Sequence, residues 1–132
     1  MDQRASATGR ILVVARPMLA RSVEATLCPA GYEVHRTPGG EDLGGSAARL
    51  RPHLVVVALD LPWIDAALAV QPLVARPRPL PVLLLGEEAA DVRLARVPRL
   101  PLALDAARLL AAVAELLRLA GGYPSPAGAS IR

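Results

Sequence analysis

The sequence predicts an α/β domain with a doubly wound parallel sheet, and three features carry that expectation. Leu54-Val55-Val56-Val57-Ala58 runs without a charge or an alternation between Pro52 and Pro62. Such a run fits a strand buried on both faces, and the prolines leave too little room for a helix. Ile11-Leu12-Val13-Val14 and Val82-Leu83-Leu84-Leu85 repeat the pattern upstream and downstream. Apolar residues at helical spacing fill the intervals, and strands alternating with helices give a parallel sheet covered on both sides. In such sheets the functional crevice lies past the carboxyl ends of the strands.

Taken in order, Met1 to Gly9 are polar or small and read as a frayed start. Ile11–Val14 is the first strand, and Pro17 suits the first turn of a helix. Leu19, Val23 and Leu27 line one face of that helix, which Pro29 and Gly31 end. Tyr32 to Arg36 reads as a short strand and Thr37 to Gly40 as a turn. Glu41 to Leu50 is a weak helix, because Gly44-Gly45 costs roughly 1 kcal/mol per glycine relative to alanine. After the central strand, Ile64 to Val74 suits a helix whose last turn Pro72 cuts. Pro81 to Leu85 is the fourth strand. Ala89 to Leu100 is ambiguous between a short helix and a strand around Val92 to Val97. The last helix places Leu109, Val113, Leu116 and Ala120 on one face, with Asp105 and Arg118 matching its dipole. Tyr123 to Arg132 is rich in Pro, Gly, Ser and Ala.

The domain organisation expected is a disordered start over 1–9, one folded domain over 10–121 and a flexible tail over 122–132. At 132 residues, 53% hydrophobic with 2% aromatic and no Phe, the core has to be Leu, Val and Ala. No apolar stretch reaches membrane-spanning length and no leader opens the chain, so a soluble cytoplasmic protein without membrane contact is expected. The single Cys28 excludes an internal disulfide and a cysteine metal cluster; at the end of an apolar helix it reads as a core thiol. All 15 basic residues are Arg, scattered among 12 acids, for a net charge of +3. Nucleic-acid surfaces cluster their cations and interleave aromatics, so no nucleic acid is expected. His35 and His53 are too far apart in sequence context to make a metal site, and no cofactor is expected. Glu87-Glu88 reads as the acidic first turn of a helix.

Several stretches together resemble the receiver domain of two-component response regulators, over about Arg10 to Gly121. Ile11–Val14 resembles its first strand, and Ala30-Gly31-Tyr32-Glu33-Val34 its helix-to-strand junction. Gly40-Glu41-Asp42 resembles the start of its second helix. Arg51-Pro52-His53 with Leu54 to Val57 resembles the run into the phosphorylated strand, Leu61 to Asp65 the loop after it, and Leu80 to Leu85 its fourth strand. The resemblance implies a flavodoxin/CheY-like (βα)5 fold. The span from Gly86 to Leu100 is shorter than receivers use there, so the fourth helix is expected to be shortened or missing. That departure also means the family's usual dimer surface has to be rebuilt.

Carried over position by position, the resemblance gives a phosphorylation pocket emptied of its chemistry. Receivers hold a divalent cation on an acid pair after strand one, which here falls on Ala15 and Arg16. The phosphoacceptor Asp falls on Ala58, the sensing hydroxyl on Gly86, and the Lys before a cis-Pro on Leu100, with Pro101 next. A second register puts Arg96 at the sensing position and fits the following helix less well. Mg²⁺ wants hard oxygen ligands. A guanidinium about 4 Å from a divalent ion is repelled by several kcal/mol even at an effective dielectric near 20. Sliding the register by two would put Asp60 at the acceptor position, at the expense of the spacing to both prolines. Otherwise Asp60 reads as a loop carboxylate beside Arg16.

The function expected is that of a stand-alone receiver-like (pseudo-receiver) signalling protein acting by phosphorylation-independent protein–protein interaction, not an enzyme. The partner would be a protein of a signalling pathway, with a homodimer left open. Trp63, after Pro62, reads either as an interface anchor or as a lid on the vestigial pocket. Two other readings stay open: a small molecule or anion bound in that pocket through Arg16, and a residual phosphoacceptor at Asp60.

Overall fold

The computed structural model describes residues 9–37, 43–59, 70, 71, 73–75, 80–86, 97–101, 103 and 105–120. Five parallel strands form one sheet in the order β2-β1-β3-β4-β5: β1 Arg10–Val14, β2 Glu33–Thr37, β3 Leu54–Ala58, β4 Val82–Leu85 and β5 Arg99–Leu100. The strand order reverses between β1 and β3, which makes their carboxyl ends the switch point where such sheets form a crevice.

The three inner strands are the sequence's charge-free runs. Ile11 to Val14, Leu54 to Ala58 and Val82 to Leu85 are all buried, because helices cover both faces and no position can afford a polar side chain. The core is aliphatic throughout, with Leu73, Leu109 and Leu117 among its fully buried side chains. The helix α1 (Pro17–Leu27) connects β1 to β2 and α2 (Leu43–Leu50) connects β2 to β3, links for which the right-handed crossover rule implies opposite faces. The final helix, α3 (Ala106–Ala120), shares the face of α1 and packs against it and against β3.

Helix ends follow local chemistry. Pro17 opens α1, and a 3₁₀ turn over Cys28–Ala30 followed by Gly31 at φ 103° closes it. Asp105 caps α3: its Oδ1 accepts from Ala107 N at 2.9 Å and Arg108 N at 3.2 Å. The helix α2 forms despite Gly44-Gly45, anchored by buried Ala47. Arg51 follows it at φ 51°, an uncommon conformation for a residue with a Cβ.

Several expectations need correcting. Gly9 is not frayed: it is buried, and its carbonyl accepts from Glu33 N at 2.9 Å. The strand β2 runs from Glu33 to Thr37, one residue later than expected. On α1 the buried row is Ala20, Val23 and Leu27, with Leu19 only half-buried. On α3 the row is Leu109, Val113 and Leu117; Leu116 is half-buried and Ala120 exposed. By contrast, the helix end expected at Val74 agrees with the structure: Gln71, Leu73 and Val74 are helical and Ala75 N donates to Gln71 O at 3.0 Å, while Pro72 lies outside the described residues. The fifth strand lies at Arg99–Leu100, downstream of Val92 to Val97. Cys28 is exposed rather than a core thiol, because α1 ends at Leu27 and the tighter turn points it outward. The expected short fourth helix, Glu87-Glu88, Arg96 and both terminal segments (1–8 and 121–132) lie outside the described residues. Among the described residues no helix is long and apolar enough to cross a membrane.

Candidate functional site

The carboxyl ends of β1, β3, β4 and β5 bring four of the sequence-selected residues to one edge. Val14 pairs with Val57, so Ala15 and Ala58 stand next along adjacent strands. Ala58 lies opposite Leu85, and Leu85 opposite Leu100. Backbone bonds lock these ends together: Ala15 N donates to Thr37 O at 3.3 Å, Leu59 N to Leu85 O at 2.8 Å, and Gly86 N to Leu100 O at 2.7 Å. Ala15 and Ala58 are each 1% exposed. Arg16 is exposed, and its carbonyl accepts from Ala20 N at 2.8 Å at the start of α1. Leu100 is half-buried, and no described peptide bond, Leu100–Pro101 included, is cis. Asp60 and Trp63 lie outside the described residues.

Leu59 is the residue that sequence reasoning missed. Gly86 sits at φ 140°, a conformation that disfavours any side chain, and a Cβ built there would stand 2.9 Å from Leu59 Cβ. Leu59 is half-buried and packs on the core. An apolar side chain therefore occupies the space beside the strand ends, where a polar pocket would need room. The only signal in the sequence is a large apolar residue directly after the charge-free run.

Among the described residues, the strand ends themselves carry no carboxylate. Arg16 follows Ala15 and Asp105 is committed to its helix cap, while Asp60 and Glu87, close to Ala58 and Gly86 in sequence, lie outside the described residues. Hard-cation coordination has no oxygen side chain to start from at Ala15, Ala58 or Gly86.

The opposite edge of the sheet is polar. Arg10 Nη1 donates to Leu50 O at 2.8 Å and Arg51 O at 3.1 Å, and its Nε lies 3.4 Å from Glu33 Oε2. Glu33 Oε2 also lies 2.6 Å from His35 Nε2. The bond to His35, ahead of the Arg10 charge, holds the Glu33 carboxyl below its ordinary value. Arg10 N donates to His53 Nδ1 at 2.9 Å. Desolvation and then the Arg10 charge push His53 down. Arg10 thus ties β1 to β2, to β3 and to the end of α2, satisfying carbonyls that a helix terminus leaves open.

Among the described residues, two grooves flank the sheet. One, of about 430 Å³, runs between α1 and β2 over Ala15, Pro17, Ala20 and Val34, with the Arg36–Glu24 ion pair (3.1 Å) across it. The other, of about 300 Å³, is apolar and lies among Val74, Leu80, Val82, Val97 and Leu116. Cys28 sits beside the first; although the residue is exposed, desolvation and then the Glu24 carboxylate push its thiol up.

No protein-family model and no curated protein matches this chain. Solved structures do. A putative response regulator from Chloroflexus aurantiacus superposes with a TM-score of 0.73 at 25% identity, covering 83% of this chain and 98% of that one. The pseudo-receiver domain of the CikA protein matches at 28% identity with a TM-score of 0.64, covering 81% and 94%. The receiver domain of a histidine kinase from Syntrophus aciditrophicus gives a TM-score of 0.74 at 20% identity, covering 91% and 96%. With its strand order and an overlap of 81–91% of its length with these structures, this chain has the CheY-like fold of response-regulator receiver domains.

Proposed function

We propose that the chain is a pseudo-receiver: a two-component signalling module of the cytoplasm that works by protein–protein contact without taking a phosphoryl group. The observation that carries this reading is the set of strand ends. Ala15, Ala58 and Gly86 stand together where metal and phosphoryl chemistry would need oxygen side chains, and Leu59 packs onto Gly86. Phosphoryl transfer is catalysed chiefly by positioning and charge neutralisation, and a guanidinium with two alanines supplies no cation site. The similarity to the CikA pseudo-receiver domain agrees with this. In this reading the module is not an enzyme and needs no cofactor. Its partner is a signalling protein, a second copy of the chain included, and Trp63 is an anchor for it.

Titration with Mg²⁺ by calorimetry tests the reading. No saturable heat is expected up to about 10 mM, well above where carboxylate sites of receiver type would fill. Saturable binding, lost in Asp60→Asn, would overturn it in favour of the residual acceptor. That rival is disfavoured by the register, which ends β3 at Ala58 opposite Leu85, two residues before Asp60 in the sequence.

A second reading rests on exposed Arg16 beside small, buried Ala15: an anion or small molecule held at the pocket rim. It predicts a thermal shift with inorganic phosphate or nucleotides that disappears in Arg16→Ala.

A further inference from the structure

The groove between α1 and β2 runs along an open sheet edge. Among the described residues no strand lies beyond β2. The bonds Glu33 N to Gly9 O and Ala15 N to Thr37 O turn Glu33 and Thr37 toward β1. In a parallel ladder alternate residues face opposite ways, so the backbone groups of Val34 and Arg36 face outward. The Val34 amide is already engaged by Cys28, which accepts its hydrogen bond. The Val34 carbonyl and both backbone groups of Arg36 remain at the edge.

The groove has a shape and a charge. Its floor is small and apolar, with Ala15 and Ala20 buried beneath Pro17, and Met18 next to Pro17 is 81% exposed. Glu24 and Arg36 neutralise each other across it. Arg21 stands one helical turn from both Pro17 and Glu24, on the groove's flank, and is exposed. Among the described residues, Arg21 therefore leaves the α1 flank of the groove positive.

From this edge, floor and flank we infer that the α1–β2 groove receives an extended acidic segment of a partner protein as a sixth strand on β2. Main-chain bonds to Arg36 and Val34 would supply affinity, and alternate side chains would divide the work. Apolar ones rest on the alanine floor and against Met18; carboxylates face Arg21. The inference rests on the reading of the chain as a protein-binding module, and it names the surface and the chemistry of the partner.

The test uses the full chain, ¹⁵N-labelled, and three capped hexapeptides: Asp-Val-Asp-Val-Asp-Val, its Lys-Val counterpart, and the acidic peptide with alternate amides N-methylated. Expected are saturable binding of the acidic peptide alone, slowed exchange of the Arg36 amide, and a loss of about tenfold in affinity in Arg21→Glu. Arg21 is exposed, and an unchanged melting temperature confirms that the variant is folded. Several results would overturn the inference: no binding, equal binding of acidic and basic peptides, indifference to N-methylation, or protection at Leu100 on the other sheet edge. Neither Mg²⁺ nor a phosphodonor is present, so failure here leaves the phosphorylation-independent reading standing. A phosphorylated protein would sink that reading without touching these results.

Discussion

Leu59 and Gly86 close the site on each other. The residue after β3 leans on the residue after β4, so that a Cβ on Gly86 would stand 2.9 Å from Leu59 Cβ, and Gly86 holds φ 140° besides. Restoring a hydroxyl by Gly86→Thr should therefore destabilise the fold by about 1–3 kcal/mol, from backbone strain and overpacking together. Adding Leu59→Gly, which removes the opposing Cβ, should recover only part of the packing share, since glycine carries its own backbone cost. Urea melts of the two variants measure both parts.

Returning an acid to β3 should also fail as a repair. Ala58 is 1% exposed and is flanked by buried Ala15, so Ala58→Asp buries a carboxylate without a cation. A cost on the order of 1–3 kcal/mol at neutral pH is expected. The carboxyl's folded value would be raised, so the penalty should shrink as pH falls through it. Denaturation at pH 7 and pH 5 reads the difference.

The Arg10 clasp predicts a stability effect far from the candidate site. Arg10→Met keeps the apolar stem and deletes the bonds to Leu50 O, Arg51 O and Glu33. A loss of about 1–2 kcal/mol is expected, with faster amide exchange at the end of α2.

His53 makes part of the stability pH-dependent. Its Nδ1 accepts the Arg10 amide, and its value is held below the ordinary 6.5. The unfolded chain then binds more protons than the folded one below 6.5, so stability present above that value declines as pH falls through it. Glu33, held below 4.5, adds a second decline only at more acid pH. Melting temperatures between pH 8 and pH 5 should fall for the native chain and stay flatter in His53→Gln.

Much of the fold was legible because burial on both faces removes ambiguity. Leu54–Ala58 is a strand with the bounds its prolines imply, since a strand covered by helices reads as one unbroken apolar run. Where burial is partial the reading slips. The edge strand β2 mixes Glu33, His35 and Arg36 with Val34, and its start moved by one residue. On α3 both Leu116 and Leu117 fit a helical stripe, and only packing chooses Leu117. Cys28 was misplaced because the change from α-helix to 3₁₀ turn at Leu27 redirects the side chain, which periodicity does not register. At the candidate site, substituted residues could be recognised by identity alone. The closure of Leu59 over Gly86 and the reach of Arg10 to α2 could not, since each joins segments distant in sequence.

The central claim is tested most directly by intact-protein mass spectrometry after incubation with a small-molecule phosphodonor and Mg²⁺. The account predicts a spectrum unchanged from the untreated chain. A stoichiometric gain of one phosphoryl group, mapped to Asp60, would contradict it and make this chain a working receiver.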